Sequence, residues 1–63
     1  MNTVYLVEKN FKKVRSFDEE ATAISFAKEI DGIAWKHKVW KDTRGSLWNE
    51  FLRYDNHSGK WVH

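Results

Sequence analysis

The sequence predicts one α+β domain, residues 1–63, in which a single helix packs on an antiparallel sheet. Three observations indicate this class: two β-rich segments precede an amphipathic segment, three β-rich segments follow it, and short turn motifs separate them. The expected element order is ββαβββ. The chain contains no proline and no low-complexity linker, which favours one domain. The order of the strands within the sheet cannot be read from the pattern.

The first two strands are expected to form a hairpin. Residues 3–8 alternate strong β-forming side chains, as a strand does. Lys9 and Asn10 are a candidate tight turn, because asparagine tolerates a positive φ. The returning strand, residues 11–15, is short and rich in lysine. It is therefore expected at an edge of the sheet, where charged side chains discourage pairing with other chains.

A helix is predicted from about Phe17 to Asp31. Ser16 and Glu19 match the Ser-x-x-Glu capping box with which many helices begin. An apolar stripe at helical spacing is expected to face the sheet, and it consists of Ala23, Phe26, Ala27 and Ile30. Gly32 follows directly, and it is expected to end the helix in a left-handed conformation.

The next strand is predicted in residues 33–42, Ile-Ala-Trp-Lys-His-Lys-Val-Trp-Lys-Asp, which hold two tryptophans and three lysines. Alternation places Trp35 on one face and Trp40 on the other. An antiparallel strand usually has one apolar and one polar face. A tryptophan on each side therefore predicts that the helix covers one face and that a binding partner covers the other.

The remaining chain predicts a three-stranded meander. Residues 42–45 have turn composition, and residues 47–54 again place large apolar side chains on both faces of a strand. Residues 55–59 are turn formers, and residues 60–63 can form a short last strand. The sheet face without the helix then receives several aromatic residues.

Composition excludes several classes of protein. There is no cysteine, so neither a disulfide framework nor a thiolate zinc site is available. No apolar run approaches the roughly 20 residues of a membrane-spanning helix, and the first residues do not resemble a secretory leader. We therefore expect a cytoplasmic location and no membrane partner. Because so small a domain buries little surface, a homodimer is expected to add stability.

No catalytic function is expected, because no motif brings a nucleophile, a base and an orienting group together. The three histidines, His37, His57 and His63, lack the spacing of a metal site. No catalytic residue, metal ligand or cofactor is therefore assigned.

Basic residues interleaved with aromatic ones are the strongest functional signal. Residues 17–31 carry five acidic residues against one basic residue, whereas the rest carries ten basic against four acidic. A basic sheet with exposed rings is typical of surfaces that bind nucleic acid or nucleotides. The predicted ligand-binding set is Trp35, Lys36, Lys38, Trp40, Lys41, Arg44, Arg53, Tyr54 and Trp61. The preferred interpretation is a small regulatory module that recognises a phosphate-bearing ligand.

Two other interpretations stay open. The same aromatic face can serve a protein-protein interaction module, either as a homodimer or as an inhibitor or adaptor of a host protein, as phages and accessory elements encode. Alternatively, the tryptophans form the core, and the lysines are solvated residues whose aliphatic stems cover apolar surface.

Overall fold

The computed structural model describes residues 2–63 and confirms the predicted class, with one helix and a single sheet of five antiparallel strands in the order ββαβββ. The elements are β1 (Asn2–Lys9), β2 (Lys12–Phe17), α1 (Glu20–Ile30), β3 (Ile33–Lys41), β4 (Leu47–Asp55) and β5 (Lys60–Val62). The strand order across the sheet is β2-β1-β3-β4-β5. Within residues 2–63, no helix has the length and apolar character that crossing a membrane requires.

The β1–β2 hairpin turns one residue later than predicted. Lys9 pairs with Lys12, so the two turn residues are Asn10 and Phe11, with φ of 55° and 64°. Positive φ at both positions is the type I′ geometry that suits the twist of a hairpin. The predicted edge position of β2 is confirmed, because β2 is the first strand in the sheet order.

The predicted capping box is wrong. Ser16 lies in β2 opposite Leu6, and the following residue, Phe17, pairs with Tyr5. The helix begins at Glu20 after an extended N-cap residue, Glu19, which makes no side-chain cap bond within the described chain. Phe17 packs on Phe26 with ring centroids 5.4 Å apart. This aromatic contact and the pairing with β1 keep residues 16 and 17 in the strand, so the helix starts later.

The predicted left-handed position at the end of the helix, Gly32, is also wrong by one residue. Asp31 takes the left-handed conformation, with φ of 58° and ψ of 42°. The backbone N–H of Asp31 donates to the carbonyl of Lys28, and that of Gly32 donates to the carbonyl of Ala27, which is a Schellman motif. Gly32 serves a different purpose, because a Cβ there would lie 2.7 Å from the carbonyl oxygen of Glu8.

The core lies between α1 and the middle of the sheet. Its buried residues are Val7, Ala23, Ala27 and Ala34. Half-buried side chains surround them, and they are Tyr5, Phe17, Phe26, Ile30, Tyr54 and Trp61. The predicted apolar stripe of the helix is thus the face that packs on the sheet. Its alanines allow a close approach, which leaves Val7 as the largest fully buried side chain.

The sheet has a helix-side face and an open face. Ala34 is buried beneath the helix, so Lys36, Lys38 and Trp40 share its face by alternation. The opposite side is called the open face. Two rows of paired residues cross it, Leu6-Trp35-Arg53-Val62 and Val4-His37-Phe51.

Candidate functional site

The nine predicted ligand-binding residues do not form one surface. Trp35 and Arg53 pair directly on the open face, and alternation puts Lys41 on the same side. Arg44 lies in the turn between β3 and β4. The other five belong to the helix side, and they are Lys36, Lys38, Trp40, Tyr54 and Trp61. Alternation separated Trp35 from Trp40 correctly, but it did not reveal that the set is divided among the helix side, the open face and the β3–β4 turn.

Three of the helix-side residues are built into the fold. Lys36 Nζ lies 3.9 Å from Glu20 Oε1 and 5.1 Å from the centre of the Trp61 ring. The indole N–H of Trp61 donates to the same Glu20 carboxylate. Tyr54 contacts the Trp61 ring edge-on at 5.2 Å. These contacts hold β5 and the first turn of α1 together, so Lys36, Tyr54 and Trp61 have a structural role.

The β3–β4 ribbon extends past the helix. Glu20, in the first turn of α1, is level with Lys36, so later residues of β3 lie beyond the start of the helix. Trp40 pairs directly with Trp48 of β4 on the helix-side face of this ribbon. Trp48 is 52% exposed, whereas Trp40 is half-buried. We call this pair the Trp40–Trp48 ledge.

Asp42 fixes the Trp48 ring of the ledge. The indole Nε1–H of Trp48 donates to Asp42 Oδ2 at 2.8 Å. The other carboxylate oxygen, Oδ1, accepts backbone N–H bonds from Arg44 and Ser46, each at 2.9 Å. The bond from Trp48, followed by that from Ser46, lowers the pKa of the Asp42 carboxyl below its ordinary value. An exposed indole is therefore oriented by a carboxylate that also accepts two backbone N–H groups of the turn.

Sequence reasoning missed Trp48 as a site residue. A usable signal was present, because Trp40 and Trp48 are placed symmetrically about the turn that begins at Asp42. A hairpin centred on that turn brings the two rings opposite each other. Strand alternation considers each strand alone, so it cannot provide this pairing.

Cations near the ledge differ in their partners. Lys38 Nζ lies 3.7 Å from Glu50 Oε1, and the imidazole Nε2 of His63 lies 3.4 Å from Glu50 Oε2. The ion pairs found among residues 2–63 include neither Lys41 nor Arg44. Lys41 lies on the open face by alternation, so Arg44 in the turn is the cation that a ligand at the ledge can reach without breaking one of these ion pairs.

The open face carries a second group of rings. The rings of His37 and Phe51 stack with centroids 4.1 Å apart and planes 4° from parallel. The indole Nε1–H of Trp35 donates to Glu8 Oε1 at 3.2 Å. Phe51 is 48% exposed. A depression beside these rings is lined by Leu6, Glu8, Lys13, Trp35 and Phe51.

Within residues 2–63, no three histidine, aspartate or glutamate side chains lie together as a metal ion would require. Comparison with known protein families, with curated proteins and with solved structures found no match to this chain. The ledge and the open face are therefore the basis for its functional assignment.

Proposed function

We propose that the protein is a non-enzymatic regulatory module that binds a phosphate-bearing ligand, single-stranded nucleic acid or a nucleotide, at the Trp40–Trp48 ledge. The observation that carries the proposal is the exposed indole of Trp48 held in place by Asp42. A base can stack on such a ring because the ring already has a defined orientation in the free protein. Little conformational entropy is then lost on binding.

The chemistry of the ledge suits a base. The single N–H of the Trp48 indole is already bonded to Asp42, so the exposed ring surface needs no further polar partner. Stacking a base on an aromatic side chain contributes roughly 1–3 kcal/mol and tolerates different bases. The ledge is therefore suited to ligands recognised by their rings more than by their sequence.

Arg44 supplies the charge for phosphate recognition. It lies at the turn end of the ribbon, outside the ion pairs found in residues 2–63. The guanidinium of Arg44 can donate two parallel hydrogen bonds to a phosphate. Lys38 contributes less, because Glu50 offsets its charge.

The test is a titration of tryptophan fluorescence with single-stranded oligonucleotides and with nucleotides at two salt concentrations. We expect saturable quenching that weakens as salt rises, because phosphate contacts release counterions. Arg44→Gln should lower the affinity and flatten the salt dependence. Lys28→Gln, which removes one exposed positive charge from the helix, is the matched control. Absence of quenching at low salt contradicts the proposal.

A second candidate function is protein-protein interaction through the open face. The observation that favours it is the exposed Phe51 in the row Val4-His37-Phe51, which none of the elements described within residues 2–63 covers. The test compares the proteins retained by immobilised wild type and immobilised Phe51→Lys, with untagged copies of this chain included. Identical retention by the two contradicts this candidate.

A further inference from the structure

The open face is mostly apolar at its centre and charged at its margin. The central positions on β1, β3, β4 and β5 include two polar residues, His37 and Arg53, and six apolar ones, Val4, Leu6, Trp35, Val39, Phe51 and Val62. Cations lie around them, with Lys13 on the edge strand β2, Lys41 at the end of β3 and Lys60 on the edge strand β5. An apolar centre with a charged rim is the anatomy of a protein-protein interface.

The single chain has too little interior for its size. Among residues 2–63, Val7 is the largest fully buried side chain, and the other buried residues are alanines. A folded protein of 7.6 kDa is expected to expose about 4,300 Å², whereas this chain exposes 4947 Å². The chain thus exposes more surface than a compact protein of its mass, and the exposed side chains include Leu47, Trp48 and Phe51.

Other means of stabilising a small domain are missing. The chain has no cysteine, and residues 2–63 contain no cluster of three potential metal ligands. A domain of this size without disulfides or a metal commonly gains stability by association. A second copy of the chain is available wherever the chain itself is made, which favours it as that partner.

The charges of the open face suit a copy of itself. Glu8 and Arg53 lie on opposite sides of Trp35, on β1 and β4 respectively. A two-fold axis passing over Trp35 can place Glu8 of each copy against Arg53 of the other. Every contact in such a dimer occurs twice, so this ion pair would form on both sides of the axis. Arg53 is not in any ion pair found among residues 2–63, so its charge is available.

We propose that the open face binds a second copy of this chain, forming a symmetric dimer around Trp35 and Phe51. The inference rests on the proposed protein-binding role of this face and adds the identity of the occupant. It leaves the Trp40–Trp48 ledge free, because the ledge lies on the helix side of the sheet. The dimer therefore presents two ledges.

The test is the mass in solution, by sedimentation equilibrium or light scattering, over a wide range of concentration. Wild type is expected at twice 7.6 kDa. Phe51→Lys should raise the dissociation constant by about tenfold or more, because a buried aromatic anchor is lost and a charge is added. Phe11→Asn is the control, since Phe11 is 97% exposed at the hairpin tip, and it should leave the mass unchanged.

A charge swap distinguishes lost contacts from lost folding. Arg53→Glu should weaken the dimer, and adding Glu8→Lys to it should restore part of the affinity. The proposed dimer is contradicted if the wild type has a mass of 7.6 kDa at every concentration and Phe51→Lys has the same mass and melting temperature as the wild type. That result would leave the retention experiment to decide whether the face binds another protein.

Discussion

Asp42 is the residue on which the geometry of the ledge depends most. Its carboxylate accepts the Trp48 indole N–H and two backbone N–H groups of the β3–β4 turn. One short side chain thus organises a turn and orients a ring in the next strand. The exposed Trp48 is available for binding because its orientation is determined by Asp42 and needs no packing against the core.

The pH dependence of Trp48 follows from Asp42. The pKa of this carboxyl is lowered from 3.8, so its stabilising bonds are fully present above that value and are lost as pH falls through the lowered pKa. We expect the Trp48 contribution to emission, isolated by comparison with Trp48→Phe, to stay constant as the pH falls to the ordinary carboxyl pKa of 3.8 and to change only at more acid pH. A transition near neutral pH would contradict this assignment.

Removing the carboxylate should free the ring. Asp42→Ala eliminates all three hydrogen bonds, so we expect a lower melting temperature and a weaker ligand affinity. Asp42→Asn keeps one acceptor oxygen and should have a smaller effect on both. Thermal unfolding and oligonucleotide titration of the two variants provide the measurement. Equal affinity of Asp42→Ala and wild type would show that orientation of Trp48 is unimportant.

At the scale of elements, the start of the helix offers a direct test of the corrected boundary. Glu19 has the extended backbone of an N-cap residue, with φ of −109° and ψ of 134°, but serine would cap the helix better. Glu19→Ser should raise the free energy of unfolding by roughly 0.5–1 kcal/mol. Ser16→Ala should change it by less than about 0.5 kcal/mol. Urea unfolding measures both changes. A large loss in the free energy of unfolding for Ser16→Ala would instead support the predicted capping box.

The end of the helix is constrained by a neighbouring strand. A Cβ on residue 32 would lie 2.7 Å from the Glu8 carbonyl oxygen of β1. Gly32→Ala should therefore lower the free energy of unfolding by roughly 1–3 kcal/mol, as overpacking does. Thr22→Ala, at an exposed position of the same helix, is the control in urea unfolding. Comparable stability of the two variants would mean that β1 shifts to accommodate the added methyl group without lowering the free energy of unfolding.

Elements could be predicted from the sequence because each depends on local periodicity. The stripe of Ala23 and Ala27 indicated the buried helix face, and the lysines of β2 indicated an edge strand. The predicted ends of the elements were wrong where tertiary contacts outweighed local sequence signals. Phe17 stayed in β2 because it packs on Phe26, and a capping motif contains no information about such a distant contact.

At the scale of the whole molecule, the candidate site could be predicted only in part. Composition indicated rings and cations, and alternation separated Trp35 from Trp40. How the nine predicted ligand-binding residues divide between the two faces of the sheet depends on the strand order and on how far the helix extends along the sheet. Both depend on contacts between residues distant in sequence. For that reason Lys36 and Trp61 proved to be structural, and Trp48 was missed.

The molecule as a whole therefore has two surfaces with different chemistry. The ledge offers an oriented, exposed ring near Arg44, which takes part in none of the ion pairs found among residues 2–63. The open face offers apolar residues that the helix does not cover. A dimer through the open face would carry two ledges, and a ligand long enough to reach both would bind with higher avidity than a short one.

The most direct measurement is the fluorescence anisotropy of a labelled single-stranded oligonucleotide titrated with wild type, Trp48→Ala and Phe51→Lys at low salt. For Trp48→Ala, the loss of roughly 1–3 kcal/mol of stacking predicts an affinity lower by about 5-fold to 150-fold. Phe51→Lys should keep the affinity per ledge. Equal binding by wild type and Trp48→Ala, or no binding by wild type, would contradict the assignment of ligand recognition to the ledge.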